Sequence, residues 1–359
     1  ATCATYGYPP LSTFGSDPVA GSSPVAVTMG DPAGIGGEIS MMTWRDHRTA
    51  LPPFYLLDDP DRLARLAAKT GITCPIVEIT TPDEALSVAR NALPVLRLSA
   101  PVHALPGDDS TADGRMVIEA IDRAIDASMD GSAAGMATNP IQKSRLYEAG
   151  FTAPGHTEYL GQRAGLEHPP IMLLAGPNLK VVPVTIHLSL KDAVIALTRD
   201  EIVRTLKTTI AALKSDFGID TPRIAVSGLN PHAGESGHMG REEIDIIAPA
   251  IAEVADTGAD IRGPLAGDTM FHPAARATYD VAVCMYHDQA LIPMKTLDFD
   301  NGVNVSVGLP FVRTSPDHGT AYNIAGTASA NPTSLVSAIR MAGEIANCRA
   351  QTQPDGALG

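Results

Sequence analysis

Residues 24–37 read PVAVTMGDPAGIGG, and the next seven continue the chain to Trp44. The run PVAVTM is short, apolar and rich in β-branched residues, which predicts a buried strand. GDPAGIGG ends it as a tight turn, and a helix follows through about Trp44. Glycines after a strand let backbone approach a ligand, and the N-terminus of a following helix attracts anions. The glycines stand at 30, 34, 36 and 37, so the turn is neither GxGxxG nor GxxxxGK[ST]. Taken alone, the segment reads equally as an anion cradle or as a plain turn.

The same alternation spreads outward from this stretch. PFYLLD predicts a strand, and DPDRLARLAAKTG a helix with a glycine stop. Residues 101–113 are loop by composition, and GRMVIEAIDRAIDASMDG is amphipathic at helical spacing. SAAGMAT, PPIMLLAG, LKVVPVTIHL, PRIAVSGLN, YDVAVCMY and NVSVGLPFV read as strands. PIQKSRLYEAG, residues 200–217, REEIDIIAPAIAEVADTG and NPTSLVSAIRMAGEIAN read as helices. Strands alternating with helices imply an α/β fold with a largely parallel core.

The formal net charge is −14, which disfavours nucleic acid and anionic membrane surfaces as partners. Aromatic residues make up 4% of the chain, too few for base-stacking platforms. No run of 18 apolar residues occurs, so no spanning helix is expected. Cys3, Cys74, Cys284 and Cys348 are scattered, as expected of free thiols in a reducing cytoplasm. Residues 1–23 lack a basic start and a long apolar core, and their Gly, Pro, Ser and Thr predict a loose arm.

Ligands of parallel α/β sheets bind beyond the carboxyl ends of strands. Three histidines follow predicted strands: His187 in TIHLSL, His232 in NPHAGESGHMG and His287 in MYHDQ. Neutral imidazole suits a borderline metal, and three such ligands leave positions open for a substrate oxygen. Read from the residues alone, each can equally cap a strand. Asp288 offers a carboxylate to orient His287, to bind a metal or to accept a proton, or simply to cap a helix. Cations are sparse, so Lys295 and Arg313, both within KTLDFDNGVNVSVGLPFVRTSPDHGTA, are notable. Arg suits bidentate binding of phosphate or carboxylate, and Lys supplies a point charge, while either residue taken alone also reads as a solvated surface charge.

VTMGDPAGIGGE, PGHTEYL, TIHLSL, GLNPHAGESGHMGREE, GPLAGDTMF, MYHDQALIPMK and GVNVSVGLPFVRTSPDHGTAYNIAGT together resemble the 4-hydroxythreonine-4-phosphate dehydrogenase (PdxA) family, over roughly residues 24–347. The resemblance implies metal ligands at His187, His232 and His287. It implies substrate contacts from His156, Thr157, Lys295, Asn304 and Arg313. It also implies an isocitrate/isopropylmalate dehydrogenase-like fold of two α/β domains with an inter-domain cleft, and a homodimer with shared active sites. The expected division is an arm at 1–23, a first domain at 24–132 plus about 310–359, and a second at about 133–309 carrying the metal ligands and dimer interface. Gly37 departs from the family's usual Pro, and the arm is not part of the family core.

The implied reaction is oxidation of 4-phosphooxy-L-threonine at C3 by NAD or NADP, followed by decarboxylation to 3-amino-2-oxopropyl phosphate. A divalent metal would assist, zinc first, with magnesium, manganese and cobalt as the other choices. Asp288 is the candidate proton acceptor. Related 4-phosphates of D-threonate or D-erythronate are the alternative substrates. A metal-free phosphate acyltransferase and a three-histidine hydrolase are the alternatives of other classes.

Overall fold

The computed structural model describes residues 23–108, 113–151, 153 and 155–352, so the predicted arm lies almost wholly outside the described residues. Twelve strands are described: β1 (Val25–Thr28), β2 (Phe54–Asp58), β3 (Ile76–Ile79), β4 (Leu93–Arg97), β5 (Gly135–Thr138), β6 (Ile171–Ala175), β7 (Lys180–Pro183), β8 (Arg223–Ser227), β9 (Asp260–Leu265), β10 (Val281–Cys284), β11 (Val303–Val307) and β12 (Arg313–Pro316). They fall into two compact units. The first comprises 24–170 and 303–350, and the second is the continuous segment Ile171–Gly302.

In the first unit the strand order is β3-β4-β2-β1-β5-β12-β11. β1 is buried along its whole length and pairs in parallel with β2 and β5. That double-sided burial is why VAVT is uniformly apolar rather than alternating. The helix Gly114–Met129 turns Val117, Ala120, Ile121, Ala124 and Ile125 into this core. Fully burying each isoleucine there contributes roughly 1.5–3 kcal/mol. The helix Pro60–Thr70 shows how local chemistry sets an element's ends. Asp59 accepts from the Asp61 backbone N–H at 2.9 Å, Pro60 occupies the first turn, and Gly71 closes the helix at φ 72°.

Gly37 has a structural counterpart in that helix. A Cβ there would stand 2.9 Å from Leu66 and 3.2 Å from the Arg62 guanidinium. Arg62 is buried, donating to Asp58 at 2.7 Å and to the Pro32 carbonyl at 2.7 Å. The guanidinium thus fills space that a side chain at 37 would need.

The sequence assigned 133–170 and 303–309 to the second domain. They belong with the first unit, because β5 pairs with β1 and β12, and β11 pairs with β12. NVSVGLPFV, expected as one strand, breaks at Gly308 (φ 90°), and β12 returns antiparallel to β11. β4 escaped notice because Pro94 interrupts it, and β3 because its residues are largely exposed. REEIDIIAPAIAEVADTG begins with a π-helical turn, Glu243–Ile247, before an α-helix, Ala248–Glu253.

In the second unit the order is β6-β7-β10-β8-β9. β10 is central and pairs in parallel with β7 on one side and β8 on the other. β6 runs antiparallel to β7. The predicted strand LKVVPVTIHL ends at Pro183, and the residues beyond it form a loop towards the helix Leu190–Ala196.

Candidate active site

The order β7-β10-β8 determines where the three histidines emerge. His187 follows β7, His287 opens the helix after β10, and His232 follows β8. All three therefore leave the carboxyl ends of adjacent parallel strands in one unit, where ligands of such sheets bind. The rings of His187 and His287 lie 5.9 Å apart, centroid to centroid. They line a pocket of about 220 Å³ with Thr185, Leu190, Tyr286 and Asp288. His287 Nδ1 lies 2.7 Å from an Asp288 carboxylate oxygen.

That contact uses one ring nitrogen and leaves Nε2 as the other donor atom, an arrangement typical of a metal-binding histidine. Two neighbouring imidazoles, one oriented by a carboxylate, have the donor chemistry of a transition-ion site. His232 is exposed at the head of a separate turn. Among the described residues, no three His, Cys, Asp or Glu side chains already converge tightly enough to hold an ion. The structure thus brings two of the three predicted ligands together and places the third on the neighbouring strand's loop.

Two of the three histidines have unusual backbones. His187 has φ 39°, and His232 opens a run of six consecutive positive-φ residues ending at Gly237. Such non-glycine conformations cost free energy and gather at functional sites. Glu243 holds this turn to its helix. One of its oxygens accepts the Leu229 and Asn230 backbone N–H groups at 2.8 and 2.7 Å, and the other accepts from the Asn230 side chain at 3.0 Å. Burial works to raise the Glu243 carboxyl, but these donors outweigh it and hold it below the usual range.

The predicted substrate residues, Lys295 excepted, lie in the first unit. Arg313 opens β12 and is buried. It donates to the hydroxyls of Ser306 at 3.0 Å and Thr138 at 2.8 Å, while its Nε–H has no partner. Burial pushes the guanidinium down to about 10. A buried cation bonded to hydroxyls rather than a carboxylate is a ready anion receptor.

His156 starts the helix His156–Arg163, and Thr157 is its second residue. The His156 Nε2 is buried without a partner, as is the Asn304 Oδ1 on β11. Desolvation first, then the charges of Arg313 and Lys143, hold His156 well below its ordinary value of 6.5. Lys143 was not singled out by sequence, although the scarcity of lysines could have flagged it. Its ammonium would lie 3.2 Å from a Cβ built at Gly155, next to His156. Lys295, in the second unit, lies along the helix His287–Asp298 with its ammonium 5.8 Å from the Phe299 ring.

Asp288, the candidate proton acceptor, has a carboxylate oxygen on the His287 ring. Sequence reading did not single out Gln289, whose amide bonds Ser227, Met285 and Gly228 at 2.7, 2.7 and 2.8 Å. Its position beside His287 and Asp288 was the available signal.

Residues 50–342 match the family described as pyridoxal phosphate biosynthetic protein PdxA. A 4-hydroxythreonine-4-phosphate dehydrogenase of Methylorubrum populi is 50% identical over 330 residues, covering 90% of this chain and 94% of that protein. One from Bradyrhizobium diazoefficiens is 49% identical, covering 90% and 97% respectively. The crystal structure of 4-hydroxythreonine-4-phosphate dehydrogenase from Klebsiella pneumoniae superposes with a TM-score of 0.82 at 37% identity, covering 91% of this chain and 99% of that one. With matches of this extent, the chain belongs to the PdxA family of pyridoxal phosphate biosynthetic proteins.

Proposed function

We propose that this chain is a nicotinamide-dependent dehydrogenase that oxidises the C3 hydroxyl of 4-phosphooxy-L-threonine, with loss of CO2 from the resulting 3-oxo acid yielding 3-amino-2-oxopropyl phosphate. The observation that carries the reading is the placement of His187, His287 and His232 at the carboxyl ends of adjacent parallel strands. The names of the relatives support the same reaction. The three histidines would hold a divalent ion, zinc first, which when bound supplies Lewis acidity at the hydroxyl oxygen.

The chain's own groups perform the remaining tasks. Asp288 orients the His287 imidazole through Nδ1. Arg313, with Lys143 and Lys295, supplies positive charge for the phosphate and carboxylate ends of the substrate. His156, Thr157 and Asn304 supply hydrogen-bonding partners, two of them with buried, unpartnered atoms. Holding a substrate by its non-reacting anionic ends fixes the reacting carbon, which can be worth several kcal/mol.

A homodimer is part of the proposal. Leu188, Leu190 and Ile195 are 49%, 63% and 70% exposed in the second unit, which supports an apolar contact with a second copy.

The test is a panel of 4-phosphooxy-L-threonine, D-threonate 4-phosphate and D-erythronate 4-phosphate with NAD and NADP, read by absorbance of the reduced nicotinamide. The phosphorylated threonine should give the highest kcat/KM by at least tenfold. Equal or better turnover of a threonate or erythronate phosphate would reassign the substrate, and no nicotinamide reduction with any of them would overturn the dehydrogenase reading.

A further inference from the structure

Three histidine-bearing loops on three strands need something that sets their mutual distance. Strand pairing cannot do it alone, because the loops begin where the pairing ends. Beyond β10 the Met285 carbonyl accepts from the Thr185 hydroxyl at 2.8 Å and from its backbone N–H at 3.3 Å. Thr185 stands two residues before His187, so this pair ties the His187 loop to the His287 loop. On the other side of β10, Gln289 makes the corresponding link. Its Oε1 accepts from the Met285 backbone N–H at 2.7 Å and from the Ser227 hydroxyl at 2.7 Å. Its Nε2 donates to the Gly228 carbonyl at 2.8 Å. Ser227 ends β8, and Gly228 begins the loop that carries His232.

Thr185, Met285, Gln289 and Ser227–Gly228 therefore form one continuous hydrogen-bonded chain across all three loops. We propose that Gln289 is a positioning residue that sets the spacing of the His232 loop relative to His187 and His287, and through it the geometry of a three-histidine metal site. The inference rests on the metal reading above. Only an amide satisfies this position. A carboxylate at 289 would set an oxygen against the Gly228 carbonyl, and an apolar chain would leave the Met285 N–H, the Ser227 hydroxyl and the Gly228 carbonyl without the partner they now share.

The experiment uses the full chain, stripped with a chelator and titrated with Co2+. It reads affinity and the visible ligand-field spectrum, with thermal midpoint recorded in parallel. Gln289→Glu should weaken Co2+ binding by about 10–100-fold, the range for groups that orient metal ligands, and should alter the spectrum. Ser227→Ala removes one donor from the same amide without adding volume, and should weaken binding several-fold while shifting the thermal midpoint little. If Gln289→Glu does not fold, Ser227→Ala decides the matter. Wild-type affinity and an unchanged spectrum in the folded variants would overturn the positioning role while leaving the metal reading intact. A wild-type chain that binds Co2+ without a histidine-dependent spectrum, as judged against His287→Ala, would instead remove the metal reading and this inference with it.

Discussion

Arg313 and His156 carry opposite burdens for the same reason. Burial pushes the guanidinium down to about 10 without removing its charge at neutral pH, and holds the imidazole neutral, well below 6.5. The lowered imidazole value means that the contribution of His156 to stability is present above pH 6.5 and is lost as pH falls towards the folded-state value. An anion bound beside it would offset the charges of Arg313 and Lys143 and favour the protonated ring. Inorganic phosphate should therefore raise the His156 pKa, and phosphate binding should take up protons at slightly acid pH. NMR titration of the His156 ring with and without phosphate measures this. A pKa that does not respond at saturating phosphate would show that the anion binds elsewhere. Arg313→Met should raise KM for the phosphorylated substrate by about 10–100-fold, because it removes a desolvated, charge-assisted contact. An unchanged KM would return Arg313 to a purely structural role.

At the scale of the element, the turn 232–237 sets the terms. Left-handed backbone costs a non-glycine residue about 1–2 kcal/mol. Glu235 is exposed, with φ 42° and ψ 60°, so Glu235→Gly should stabilise the protein by about 1 kcal/mol in denaturant unfolding. Gly234→Ala should act the other way, because its Cβ would come within 2.5 Å of Glu243. Equal midpoints for the two variants would mean that the turn relaxes at no cost. Nothing in NPHAGESGHMG announces this backbone, since only three of its residues are glycine. Periodicity did locate β1, β8 and β10 and the loops after them, because parallel strands buried on both faces are uniformly apolar. It failed at β4, where Pro94 breaks the run, and at the Gln289 chain. Hydrogen bonds between loops distant in sequence leave no periodic trace.

Across the whole molecule, the three proposed metal-ligating histidines lie in one unit and most of the predicted anion-binding groups in the other. The proposed homodimer gives an expectation at this scale. If each active site draws His156 from one subunit and His232 from the other, mixing inactive His156→Ala and His232→Ala chains under subunit exchange should restore roughly a quarter of wild-type activity. No recovery, with exchange proven by mass spectrometry of tagged chains, would place both residues in the same subunit's site.

The discontinuity of the first unit also shapes how the protein is made. β1 to β5 leave the ribosome first, but β12, the second neighbour of β5, comes only after the whole of Ile171–Gly302. That interval is 302 − 171 + 1 = 132 residues, roughly seven to twenty-six seconds at elongation rates of about 5–20 residues per second. Throughout it the edge of β5 has no permanent partner, while the inserted unit is complete in sequence and free to close. A nascent chain paused near Gly302 would thus present a finished unit beside an open parallel edge, the kind of surface that chaperones shield and neighbouring nascent chains can capture.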